Sequence, residues 1–166
     1  FEISDANWMS GGASKLQMFF NLTWNAPGEG RTKTRMVLRM EPAESISETS
    51  RLSEFQAIKM LEGYIPVPPT YWVDGDGRYL PYPAIVYGFA EGVAKSTRST
   101  SNVTGVGTYM PLEIRAPLGA QFVEHYARLH AFDVDKADLG PIDRPSSNEE
   151  AVLWQLNHWE RVWEED

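Results

Sequence analysis

The sequence contains no cysteine, which excludes a disulfide framework, thiolate chemistry and cysteine-based zinc sites. It has no apolar run near the roughly 20 residues that cross a bilayer, and no run rich in lysine or arginine. Acidic residues outnumber basic ones by 23 to 15, for a formal charge of −8. These absences argue against a membrane partner and against a general nucleic-acid surface. We expect a protein of the reducing cytoplasm.

Enough apolar sequence is present for a packed core, because 42% of the 166 residues are hydrophobic. This length fits one ordinary domain or one lobe of a larger, two-lobed protein. A globular fold is therefore expected.

The first forty residues have the pattern of successive strands. Apolar and aromatic runs predict three of them, at residues 1–8, 16–24 and 35–40. Gly11 and Gly12 break the first run from the second, residues 25–33 form a polar connection, and Pro42 stops the third strand. The pattern predicts an antiparallel meander.

The next segment changes to a helical period. Leu52 and Phe55 begin a row of apolar residues at helical spacing, and Gly63 is positioned to end the helix. Ser45 and Glu48 have the spacing of a capping box at its start. Two further strands are predicted as a hairpin, at residues 70–73 and 84–87.

The second half is predicted to be helical. The strand pattern stops at Gly88, and residues 95–108 are rich in serine, threonine and glycine, as in a surface loop. Pro117 suits the first position of one helix, and Ser147 with Glu150 forms a capping box for another. The aromatic residues on these helices are expected to lie in a core. They include Tyr126, Trp154, Trp159 and Trp163.

A glycine segment between the first two strands is one candidate binding element. Gly11 and Gly12 allow the backbone to approach a phosphate closely, and the Ser14 hydroxyl could donate a hydrogen bond to it. A plain hairpin turn has the same composition, and the segment taken alone favours that simpler interpretation.

A cation within an apolar strand is a second candidate. Strand alternation places Arg39 on the same side as Val37, and Glu54 follows fifteen residues later on the predicted helix. A buried guanidinium needs an anionic partner, which Glu54 or the phosphates of a nucleotide could supply. The alternative is that both side chains face solvent, and the pattern does not separate the two.

A third candidate is the point where the last predicted strand stops. After Tyr87, backbone groups near Gly88 and Ala90 become exposed, and a carbonyl and an amide there could recognise adenine. An ordinary domain linker would have the same sequence chemistry.

Together these features resemble the aminoglycoside phosphotransferase family of small-molecule kinases. The stretches that carry the resemblance are residues 11–14, residues 37–39, Glu54, residues 65–68, residues 85–92, residues 129–130, Gln155 and Trp159. The resemblance implies a protein-kinase-like N-lobe, α+β with a five-stranded antiparallel sheet and one helix, at residues 1–87. It further implies a hinge at 88–94 and the incomplete start of a helical C-lobe at 95–166.

The resemblance also implies roles for individual residues in binding ATP or GTP. The loop with Gly11, Gly12 and Ser14 would cover the phosphates, while Arg39 would contact them and pair with Glu54. At the hinge the Gly88 carbonyl would accept from the adenine amino group, the Ala90 amide would donate to a ring nitrogen, and Tyr87 would border the pocket. Many members of the family have lysine at the position of Arg39. Arginine is longer and forked, so the geometry of its contact with phosphate would differ.

No catalytic residue and no metal ligand is assigned. The family's His-Gly-Asp loop and its later Asp, which holds Mg²⁺, would lie beyond Asp166, so Asp133 and Asp135 are not given those roles. The three histidines lack metal-site spacing: His125, His130 and His158. The last helix has no stop signal, so we expect the sequence to continue.

The sequence therefore predicts the N-terminal part of a phosphotransferase that acts on a hydroxyl group of an unidentified small molecule. A non-catalytic kinase-like module that binds nucleotide or protein is the alternative, and the downstream sequence distinguishes the two. A structural interaction domain with the same order of elements is a third possibility. In that case residues 10–14 would not face Arg39.

Overall fold

The computed structural model describes residues 1–9, 15–42, 50–92 and 112–165. In this part of the chain the fold is α+β, with one five-stranded antiparallel sheet and three α-helices. The strands are β1 (Glu2–Trp8), β2 (Leu16–Ala26), β3 (Gly30–Met40), β4 (Thr70–Asp74) and β5 (Ala84–Gly88). The helices are α1 (Arg51–Leu61), α2 (Leu112–His130) and α3 (Asn148–Glu165), with a short 3-10 helix at Val134–Lys136. The predicted class and order of elements are confirmed, whereas the predicted loop at 95–108 lies outside the described residues.

The strand order in the sheet is β1-β2-β3-β5-β4. The first three strands form the predicted meander, and β5 then inserts between β3 and β4. This places β3 at the centre, where Val37 pairs with Phe19 on one side and Tyr87 on the other.

The connection between β2 and β3 is shorter than predicted. Residues 25–33 were expected to form a polar link, but the ladder continues to the pair of Ala26 with Gly30. Gly28 and Gly30 have φ of 79° and 74°, the left-handed region that glycine enters without steric penalty. These two glycines allow a tight turn, so that the polar residues on either side of it still pair in the β2–β3 ladder.

The two faces of β3 differ in charge because side chains alternate along a strand. We call the face with Arg31, Lys33, Arg35, Val37 and Arg39 the cationic face. The opposite face carries Thr32, Thr34, Met36, Leu38 and Met40, and we call it the apolar face. Both are buried at the centre of the sheet, where the core residues are Leu22, Met36, Val37, Met40, Ala84 and Ile85.

Helix α1 is capped at both ends by local contacts. The Ser50 hydroxyl accepts a hydrogen bond from the Ser53 amide at 3.2 Å, as an N-cap does, while the predicted capping box of Ser45 and Glu48 lies outside the described residues. Gly63, with φ of 75°, follows the end of the helix as predicted. The Glu62 carboxylate accepts from the amide and hydroxyl of Thr70 at 2.6 and 2.7 Å, which ties the end of α1 to β4.

The loop between β4 and β5 is organised by one carboxylate. Asp74 accepts hydrogen bonds from the amides of Arg78, Tyr79 and Leu80 at 2.8, 2.9 and 2.9 Å. Desolvation acts to raise the pKa of Asp74, but the three amides and nearby Arg78 outweigh it, so this pKa lies below its usual value.

Replacing Asp74 by asparagine should lower stability at neutral pH, because a neutral amide accepts these bonds less strongly. A carboxyl group whose folded pKa is depressed stabilises the fold above its unfolded pKa, and this contribution is lost as the pH falls through the folded pKa. Urea midpoints should therefore differ between the two proteins at pH 7 and converge at acidic pH. A difference that did not change with pH would contradict this role for the charge.

Helix α2 begins earlier than predicted. Pro117 was expected at its first position, but the helix starts at Leu112 and contains the proline. The residues before Pro117 include leucine, glutamate, arginine and alanine, whose helix propensity favours an earlier start. For α3 the Ser147 hydroxyl accepts from the Glu150 amide at 3.1 Å, as the capping box predicts, while the Glu150 carboxylate accepts from Ser146.

The expectation that the helical aromatic residues lie in a core is wrong for the described part of the chain. The exposed fractions of Tyr126, Trp159 and Trp163 are 55%, 64% and 86%, and Trp154 is also exposed. Helical periodicity identified one face of each helix, but α2 and α3 have no extensive interface with another described element. Burial depends on a packing partner, which periodicity alone does not supply.

Candidate functional site

The structure brings Arg39 and Glu54 together. The Arg39 Nη1 lies 3.1 Å from the Glu54 Oε1, and the two side chains are 29% and 20% exposed. Strand β3 directs the arginine toward α1, and Ser50 starts that helix so that Glu54 falls in its first turn. The alternative, in which both side chains face solvent, is therefore wrong, because the two form a partly buried ion pair. A role in nucleotide binding stays a prediction.

This pair belongs to a larger charged network. The other Glu54 oxygen lies 2.6 Å from Arg51 Nη1, and Arg51 Nη2 lies 2.8 Å from Glu41 Oε2. Lys15 forms an ion pair with Glu41 at the far end. Within the described residues the network therefore alternates cation and carboxylate, and Lys15, Glu41 and Arg51 have further interactions beyond these pairs.

Arg51 and Glu41 were missed by sequence reasoning. Arg51 is 1% exposed although it is the first residue of α1, and Glu41 is 7% exposed just after β3. Charged residues at such positions normally face water. A local signal was present in the spacing of three residues between Arg51 and Glu54, which places both on one helix face.

Tyr87 extends the network toward the end of β5. Burial raises the pKa of its hydroxyl, whereas a hydrogen bond from Arg39 and the arginine charge act in the opposite direction. Because Tyr87 pairs with Val37 across the β3–β5 ladder, both share the cationic face with Arg39. Tyr87 and Val37 thus form an apolar wall next to a guanidinium.

The backbone after Tyr87 is partly engaged. The Gly88 amide donates to the Pro69 carbonyl at 2.8 Å, and the Phe89 amide donates to the Arg35 carbonyl at 3.0 Å. In the part of the chain that the structure describes, the Ala90 amide has no hydrogen-bond acceptor. Of the two predicted hinge positions, Ala90 therefore presents a donor that is available to a ligand.

An alanine at residue 88 should destabilise the fold. A Cβ atom there would lie 2.9 Å from both Cγ and Cδ of Pro69, and the proline ring cannot rotate away. Overpacking of this kind typically costs about 1–3 kcal/mol. Chemical unfolding of Gly88→Ala should show that loss.

A matched control is Gly119→Ala in α2, where an added Cβ would meet nothing within 4 Å. This variant should be unchanged or up to about 1 kcal/mol more stable, since alanine has the higher helix propensity. Equal stability of the two variants would show that the close approach of residues 69 and 88 has no energetic consequence.

Arg35 holds the segment after β5 against the sheet. Its guanidinium carbon lies 4.0 Å from the Phe89 ring centroid and 4.7 Å from that of Phe19. The Arg35 Nη1 also lies 3.6 Å from the Glu91 Oε1. Each exposed cation–π contact contributes about 0.5–1 kcal/mol. Sequence reasoning assigned no role to Arg35, although strand alternation places it on the same face as Arg39.

The predicted glycine segment lies outside the described residues. The structure therefore gives no position for Gly11, Gly12 or Ser14 relative to Arg39.

No metal centre is found among the described residues, which contain no group of three histidine or acidic side chains able to hold an ion. Asp133 pairs with Lys136 at 2.6 Å, and Asp135 pairs with Arg144, at exposed positions. These two aspartates form surface ion pairs, and they remain without an assigned role in catalysis.

No protein-family model matches this chain, and no curated protein matches it. The resemblance to small-molecule kinases therefore stays a prediction that depends on the residues quoted above. Among the described residues, no helix combines the length and apolar character that spanning a membrane requires.

Proposed function

We propose that this chain is the nucleotide-binding part of an ATP- or GTP-dependent phosphotransferase that phosphorylates a hydroxyl group of a small molecule in the cytoplasm. On this proposal residues 1–87 are a kinase-like N-lobe and residues 88–94 its hinge. The observation that carries it is the partly buried pair of Arg39 and Glu54 on the cationic face of the sheet.

A buried donor atom of Arg39 supports an anionic ligand. Arg39 stands at the open end of the network, and its Nε atom is buried without a hydrogen-bond acceptor among the described residues. A guanidinium donates paired hydrogen bonds to phosphate oxygens, so a polyphosphate would satisfy this donor. Glu54, held from behind by Arg51, would keep the Arg39 side chain oriented.

The apolar wall next to Arg39 supports a base at the hinge end of the site. Tyr87 lies on the same face as Arg39 and is half-buried, so one ligand could contact both side chains. Val37, which pairs with Tyr87 and is buried, lies beneath them in the core. Beyond them the Ala90 amide offers a donor for a ring nitrogen, and we assign the Gly88 carbonyl to the adenine amino group.

The transfer step needs Mg²⁺, which neutralises the charge of the phosphates. The described residues do not contain a set of ligands that fits this ion. On this proposal other parts of the protein supply its ligands and the catalytic base.

Replacing Ala90 by proline tests the proposal because proline has no amide hydrogen. Removing one hydrogen bond of about 1–1.5 kcal/mol should weaken ATP binding roughly tenfold, as measured by calorimetry. Inorganic tripolyphosphate, which lacks a base, should bind the variant and the unchanged protein equally. This pair of ligands separates recognition of the base from attraction to phosphate.

The proposal is wrong if the same titration shows that neither ATP nor GTP binds the full-length protein. Nucleotide binding without transfer to any hydroxyl compound would instead favour the non-catalytic module. In that case the downstream sequence should lack a His-Gly-Asp loop.

A further inference from the structure

A pocket lies on the apolar face of the sheet, away from Arg39 and Glu54. Trp24, Tyr71 and Trp72 line it, together with Thr34 of β3 and Glu29 of the β2–β3 turn. Its volume is about 340 Å³, at the lower end of the range for small-molecule sites. We call it the aromatic pocket.

A strand irregularity brings the three rings together. Neighbours in a regular strand point to opposite faces, but the register shifts between Thr70 and Trp72. Tyr71 and Trp72 can therefore both contact Trp24, with centroids 6.0 and 5.1 Å away and ring planes inclined at 84° and 67°. Trp72 is 44% exposed, so much of its ring is open to a ligand.

Trp24 has its only polar atom already engaged. Its indole N–H donates to the Thr34 hydroxyl at 3.0 Å, which fixes the ring over the sheet. The indole therefore has no hydrogen bond left to offer a polar neutral ligand. What it offers is the electron-rich face of its ring, which attracts cations.

The charges around the aromatic pocket also favour a cation. Alternation directs Arg31, Lys33, Arg35 and Arg39 to the other face of β3. The described lining contains one acid, Glu29, and no base. Gly28 and Gly30, both in the left-handed region, flank Glu29 in the turn and place it at the rim.

Arginine and lysine side chains stack on other rings of the molecule. Among the described residues these pairs are Arg35 with Phe19 and Phe89, Lys59 with Phe55, Arg78 with Tyr79, and Arg128 with Tyr64. The three rings of the aromatic pocket take part in none of them. No described cationic side chain therefore occupies their faces, and Trp72 is exposed.

We propose that the aromatic pocket binds a small organic cation with a methylated ammonium group. The ring faces would contact the methyl groups and the diffuse charge, and Glu29 would add attraction at the rim. A compact, strongly hydrated inorganic ion gains less there, because the rings do not replace its water. This site is independent of the proposed nucleotide site, since it lies on the opposite face of the sheet.

Choline and its uncharged isostere 3,3-dimethylbutan-1-ol provide the decisive comparison. Chemical shifts of the tryptophan indole N–H groups should change saturably with choline, with a dissociation constant on the order of millimolar. The alcohol has the same shape without charge and should bind at least tenfold more weakly. Equal binding of the two compounds would overturn the proposal.

Trp72→Leu removes one ring and keeps apolar bulk, and it should weaken choline binding about tenfold or more. Glu29→Gln should weaken it a few-fold and reduce its dependence on salt, because the carboxylate acts through exposed charge. Trp163→Leu is the matched control, since that residue is 86% exposed on α3 and should leave choline binding unchanged. Unaltered binding in Trp72→Leu would overturn the assignment to this pocket, and a nucleotide titration of the same variant should match the unchanged protein.

Discussion

Replacing Arg51 by methionine should lower the free energy of unfolding by about 3–5 kcal/mol. The side chain is fully buried and lies between the carboxylates of Glu41 and Glu54. Methionine fills similar space but removes the cation between the two acids, which keep their ion pairs with Lys15 and Arg39, and removing one partner of a buried ion pair has a penalty of this size. Denaturant unfolding followed by circular dichroism measures it directly.

The matched control is Arg144→Met, which also removes a guanidinium from an ion pair. Arg144 and Asp135 are 52% and 71% exposed, so water replaces the lost contact and the change should stay within about 1 kcal/mol. Similar losses in the two variants would mean that Arg51 acts only through its charge, and that its burial in the network contributes nothing. A loss confined to Arg51→Met would show that α1 is attached to β3 through this network.

Replacing Arg39 by glutamine should weaken ATP binding roughly 10- to 100-fold. A hydrogen bond to a charged group contributes about 1.5–3 kcal/mol, and the variant loses both the charge and the forked geometry of the guanidinium. Arg39→Lys keeps the charge without the fork and should recover part of the affinity. Calorimetric titration of the three proteins with ATP gives this order.

Arg144→Gln makes the same change of net charge in an exposed ion pair outside the network and should alter ATP affinity less than twofold. If Arg39→Gln bound ATP as tightly as this control, the proposed phosphate contact would be wrong. Thermal unfolding of each variant should accompany the titration, because Glu54 loses one of its two arginine partners when Arg39 is replaced.

Much of the fold follows from local sequence patterns. Apolar runs predicted β1 to β5, and the helical spacing of Leu52 and Phe55 predicted α1. Alternation in β3 placed Arg39 beside Val37, and Gly63 ended the helix. Such predictions succeed because the spacing of side chains along a strand or helix depends only on local backbone geometry.

Other features follow no local rule. Arg51 and Glu41 have the sequence context of surface residues, yet both are buried. The wrong expectation for the aromatic residues of α2 and α3 has a similar origin, since a helix face is buried only where another element packs on it. The site was thus predicted only in part. The sequence made the pair of Arg39 and Glu54 a candidate, but it did not predict that Arg51 and Glu41 join this pair in a buried network.

By itself the sequence determined the order of strands and helices, the face on which Arg39 lies, and the acidic balance of the chain. Only the tertiary structure decided that Glu54 meets Arg39, that Arg51 bridges two carboxylates, and that three aromatic rings meet on the opposite face of the sheet. The physical reason is that periodicity and capping act over a few residues. Ion pairs and ring contacts depend instead on strand register and on the position of α1, which bring distant residues together.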